Sequence, residues 1–136
     1  MTQVNQSAPV AKKMFWAGRI MSALPALFLF VDGGMKLVKP APVVEATVRL
    51  GYPESVIVGL GILLLACTVI YLLPSASILG AILLTGYLGG AVATHVRVSD
   101  GFFPILFPVI LGVLIWGGLF LRDDRLRPLL PWRILR

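Results

Sequence analysis

Asp32, Lys36 and His95 are the residues of this 136-residue chain best suited to move a proton or hold a polar group. Asp32 and Lys36 stand four apart, carboxylate first, so on a helix they share a face and can pair. His95 is the single histidine, the residue type that ordinarily exchanges protons near neutral pH. A carboxylate and an imidazole around one pocket are the groups of acid–base chemistry, which makes Asp32 and His95 the catalytic candidates. Lys36 is then the charge partner and, with Tyr87, Ala91 and Thr94, a ligand-binding position. Each has an ordinary reading beside it: an ion pair at a helix end for Asp32 and Lys36, an interfacial hydrogen bond for His95. No metal site is expected, because one cysteine and one histidine make no ligand set. No phosphate loop, hydrolase triad or paired-carboxylate motif occurs, and whether the chain is an enzyme stays open.

The elements that must position these groups are membrane helices. Hydrophobic residues make up 58% of the chain and charged residues 13%, which excludes a disordered or nucleic-acid-binding composition. Apolar stretches predict spans over about 15–37, 54–73, 76–97 and 102–121, each close to the roughly twenty residues that cross a bilayer. Between the first two, Pro40 and Pro42 suit a helix start, and Gly51 with Pro53 suits a stop. The intervening stretch, about 41–50, is too short to span and reads as an interfacial helix. On it Glu45 and Arg49, four apart, are expected to form a structural ion pair. Residues 1–13 read as a flexible tail and 123–136 as a basic one. The fold expected is all-α, a four-helix transmembrane bundle with a short interfacial helix between the first and second spans.

Four spans put both termini and the second connection on one side. That side carries Lys12, Lys13, Arg122, Arg125, Arg127, Arg133 and Arg136, against Lys36, Lys39, Arg49 and Arg97 on the other. Seven basic residues against four, with Arg19 left out because its depth does not assign it to a side, favour both termini in the cytoplasm. Trp16, Tyr71, Trp116 and Trp132 fall near the same interface, as an aromatic belt does. The net charge of +6 then reflects orientation and acidic lipids, not nucleic acid. Asp32, Lys36, Glu45, Arg49, Glu54, His95 and Arg97 all gather on the outer side. In the third span Gly86, Gly90 and Thr94 form a small-residue face of the kind that lets helices pack closely. Leu88, Ala91 and His95 form a neighbouring face, and the Asp32 and His95 stripes are expected to border one outward-facing cavity.

The run LGAILLTGYLGGAVATHVR at 79–97 is distinctive, as are LLP at 72–74 and LFLRDDRLRPLLP at 119–131. With GGMKLVKP at 33–40 and LGYP at 50–53, they resemble the DoxX-like family of small bacterial membrane proteins. The resemblance implies a four-helix fold in the bacterial inner membrane. It hints at quinone-linked redox work, since the wider family includes a subunit associated with a thiosulfate:quinone oxidoreductase. Distant relatives assist the assembly of other membrane proteins. The chain departs from the family pattern at Leu64, where a glutamate commonly follows GIL, and at Pro74-Ser75, where PR is common. Two functions follow as expectations. One is an outward-facing pocket for a small lipophilic molecule, with a quinone as the implied cofactor. The other is a non-catalytic subunit or assembly factor that docks a membrane protein, or a second copy of itself, through its glycine-rich third span.

Overall fold

A computed structural model describes residues 4–129 and contains no strand among them. Five α-helices follow in order: α1 (Val4–Val38), α2 (Ala41–Arg49), α3 (Ile57–Leu72), α4 (Ser77–Arg97) and α5 (Phe102–Arg122). A 3-10 turn, Glu54–Val56, leads into α3, and another, Arg127–Leu129, follows α5. Residues 4–13, expected as a flexible tail, are helical. Once the apolar run nucleates a helix, each further residue adds one hydrogen bond, and Pro9 removes only one donor. Trp132, Arg133 and Arg136 lie outside the described residues.

Among the described residues, four segments are long and apolar enough to cross a bilayer: Lys12–Val38, Glu54–Leu72, Ser77–Arg97 and Phe102–Arg122. A 21-residue helix rises about 31 Å, close to the hydrocarbon thickness. The four long helices form a ring in which α1 meets α3 and α5, and α4 completes the ring against α3 and α5. Side chains facing out from it are apolar, such as Leu27 at 66% exposure and Val113 at 64%. Such a surface matches lipid and not water. Inside, Leu29, Leu64, Leu84, Leu88, Leu111, Ile115 and Leu119 make a continuous buried core.

Glycines set how closely the ring closes. A methyl on Gly18 would come within 2.7 Å of the Gly118 carbonyl, and one on Gly61 within 2.8 Å of the Gly33 carbonyl. These contacts bring α1 against α5 at one end and against α3 at the other. A methyl on Gly80 would run into the Tyr71 backbone across the tight α3–α4 turn.

The α1–α2 junction is built by proline. Pro40 disfavours the helical conformation of the residue before it, and Lys39 takes a left-handed one, φ 58°. Its N–H still closes on the Met35 carbonyl at 2.9 Å. Pro40 and Pro42 then start α2, and Gly51 at φ 97° ends the segment. The short helix is thereby laid over one end of the bundle.

Candidate ligand-binding site

Beneath α2 lies a cavity of about 550 Å³. Asp32 and Lys36 from α1 border it, as do Tyr87, Ala91, Thr94 and His95 from α4. The six residues singled out for catalysis or ligand binding therefore stand around one space. Three and four residues separate most of them along each helix, so helical periodicity brings each set to one face. The deeper wall is apolar: Phe28, Leu29, Leu88, Phe107 and Leu111. Phe28 and Phe107 meet edge to face with centroids 4.9 Å apart, closing the floor between α1 and α5.

The polar groups at the rim are held in defined partnerships. Lys36 Nζ donates to Asp32 Oδ2 at 2.6 Å, and the lysine is only 13% exposed against 37% for the aspartate. An ammonium so far withdrawn from water depends on that carboxylate, and loss of either leaves an uncompensated charge. His95 Nδ1 lies 2.7 Å from Asp100 Oδ2. A neutral imidazole that donates its Nδ1 proton to a carboxylate has Nε2 as its acceptor atom. The Tyr52 and Thr94 hydroxyls are 2.7 Å apart, while Thr94 also donates to the Gly90 carbonyl at 2.8 Å. No hydrogen bond or ion pair among the described residues joins Asp32 to His95 directly.

The roof is tied to α4 and to the turn beyond it. Arg97 Nη2 donates to the Leu50 carbonyl at 2.6 Å, and Arg49 Nη1 stands 3.3 Å from Asp100 Oδ1. Lys39 pairs with Glu54 at 3.3 Å, joining the start of α2 to the start of the second span. Asp100 thus serves two partners, Arg49 on the roof and His95 on the cavity wall.

Two expectations need correction. Glu45 and Arg49 do not pair: the arginine turns instead to Asp100. An exposed i,i+4 pair is worth only a few tenths of a kcal/mol, so a carboxylate that is 12% exposed and already beside an imidazole is the better partner. Gly86 and Gly90 do not pack against another helix among the described residues. A methyl on either would meet nothing within 4 Å, and both border the cavity. Absence of a side chain there leaves open space beside the cavity.

Sequence reasoning missed Tyr52 and Asp100. Asp100 sits five residues after His95, off any helical spacing, and Tyr52 is 42 residues from its partner. It also missed a second polar cluster at the far end of the bundle. The fully buried Tyr71 hydroxyl is hydrogen-bonded to Ser22 Oγ and to the Ile115 carbonyl, each at 2.8 Å. Arg122 donates to Ser22 at 2.9 Å and lies 5.0 Å from the Tyr71 ring centroid. Between this cluster and the cavity stand Leu29, Leu64, Leu84 and Ile115, all 2% exposed or less. These four side chains form an apolar layer between the two polar groups. Leu64 belongs to the layer, and a carboxylate at that position would be buried among leucines.

A family model described as the DoxX-like family matches residues 20–118, from the first turns of the α1 span almost to the end of α5. No curated protein and no solved structure matches the chain. The matched region contains the four membrane-length helices nearly whole, together with the cavity and its roof. On fold and family match together, this multi-pass membrane protein belongs to the DoxX-like family.

Proposed function

We propose that the chain binds a small lipophilic molecule with a polar head, a quinone being the class it suits best. The reading rests on one observation: a cavity of about 550 Å³ with an apolar floor and a polar rim. That volume falls within the roughly 300–1,000 Å³ of small-molecule sites, which are mostly apolar with few polar groups. The head group meets Lys36, Thr94 and His95, and the ring lies against Phe28 and Phe107. His95, oriented by Asp100, and Asp32, partnered by Lys36, are the groups able to exchange protons with the head. The basic-residue count of seven to four, with Arg19 left out, supports an orientation with both termini in the cytoplasm and this cavity on the outer face of a bacterial inner membrane.

The test is a titration of the purified protein in phosphatidylcholine nanodiscs with a short-chain ubiquinone, read by quenching of tryptophan fluorescence. Saturable binding that Ala91→Phe blocks and His95→Gln weakens supports the reading. Binding indifferent to both substitutions sinks it.

A second reading draws on Gly86, Gly89 and Gly90, beside which an added methyl meets nothing. Such an open small-residue face on α4 also suits docking of a partner helix. Under that reading Gly89→Leu breaks a co-purifying complex, while Ala91→Phe leaves it whole.

A further inference from the structure

At the end of the bundle away from α2, three guanidinium groups converge. Arg19 of α1, Arg122 at the close of α5 and Arg125 in the following turn border a second cavity of about 460 Å³, with Phe15 and Ser75. Asp123 is the one carboxylate among its described lining residues, and it is already engaged. Arg125 grips it twice, Nε to Oδ1 at 3.0 Å and Nη2 to Oδ2 at 2.8 Å. Arg122 is held by Ser22, by Ser77 and by the Tyr71 carbonyl, and Arg19 lies 5.2 Å from the Phe15 ring centroid and 5.9 Å from that of Trp16. Among the described residues, neither Arg19 nor Arg122 has a carboxylate in ion-pair contact. Among the described lining residues, three guanidinium groups stand against one carboxylate.

A guanidinium presents a planar fork of donors that matches phosphate oxygens, and two such forks from different helices make a convergent anion site. The pocket lies where α1 enters and α5 leaves the apolar slab, the depth of lipid head groups. Phe15 at 41% exposure and Trp16 at 52% stand beside it as a surface for an acyl chain. We propose that this pocket binds a phosphate group, supplied by an acidic phospholipid head group or by a soluble phosphate. The site is independent of the α2 cavity.

The test compares the full chain, Arg19→Gln and Lys12→Gln, the last removing the same charge at the same end but outside the pocket. One arm reads retention of phosphatidylglycerol over phosphatidylcholine by native mass spectrometry. The other titrates inorganic phosphate against chloride at equal ionic strength in phosphatidylcholine nanodiscs and reads melting temperature. At about 1 kcal/mol per cation near a charged surface, Arg19→Gln weakens binding roughly fivefold. Selective phosphatidylglycerol retention that Arg19→Gln cuts and Lys12→Gln spares supports the site with a lipid as source. A phosphate-dependent rise in melting temperature, lost in Arg19→Gln while both lipids are retained equally, supports it with a soluble source. No preference in either arm, or equal losses in the two variants, overturns it.

Discussion

Glycine-to-alanine substitution at two positions separates a cavity wall from a packed crossing. Gly90 on α4 borders the cavity, and an added methyl there meets nothing within 4 Å. Gly118 on α5 is the opposite case. Its added methyl would collide with Ser22 Oγ and come within 2.8 Å of the Ser22 nitrogen and 2.9 Å of the Gly18 carbonyl. Both glycines sit inside helices, where alanine is favoured by roughly 0.5–1 kcal/mol, and that gain is common to the two variants. Their difference is therefore the overpacking term alone, about 1–3 kcal/mol, because two of the colliding atoms are backbone and cannot rotate away. At about 2–4 °C per kcal/mol for a chain of this size, the melting temperatures should separate by several degrees. Gly90→Ala should lie at or above the parent and Gly118→Ala below it, followed by circular dichroism at 222 nm in one detergent. A Gly90→Ala protein that melts as low as Gly118→Ala would refute the assignment of Gly90 to an open wall.

Three further outcomes follow. Tyr71→Phe deletes two buried hydrogen bonds but leaves Ser22 its bond from Arg122, so a loss of about 1–2 kcal/mol is expected in the same melting assay; an unchanged melting temperature counts against the cluster. Arg97→Ala removes a charged donor from the Leu50 carbonyl and should speed amide exchange across Thr47 to Tyr52 more than Arg49→Ala, whose exposed ion pair is worth at most about 1 kcal/mol; the reverse order would mean that the ion pair holds the roof. Asp123 is held below the usual carboxylate range by its hydrogen bonds from Arg125. A depressed folded pKa stabilises above the unfolded value of about 3.9 and stops doing so as pH falls through the folded value. Melting temperature should therefore fall more steeply below about pH 4 for the parent than for Asp123→Asn, and parallel curves would contradict the pairing.

The spans were legible because composition alone dictates them: some twenty apolar residues have one good environment. The grouping of Asp32, Lys36, Tyr87, Ala91, Thr94 and His95 around one space was legible too, since helical spacing gives each set its face and topology gives the shared end. Gly86 and Gly90 show the limit. A small-residue repeat reads the same whether it admits a helix or leaves a hollow, and only the position of the neighbouring helices decides. Arg49 is a second case, because local spacing offered Glu45 while the fold supplied Asp100. The Tyr71 cluster was invisible for a related reason: its partners are 44 to 51 residues away and meet only through the packing of α1, α3 and α5.

Native mass spectrometry of the gently extracted protein, with any bound molecule released and identified, tests the cavity most directly. Parent and Gly90→Leu are compared at equal folded fraction, both after incubation with a short-chain ubiquinone. A small lipophilic molecule on the parent and none on Gly90→Leu is the predicted result. An empty parent, or equal occupancy of both proteins, would contradict a ligand site beneath α2.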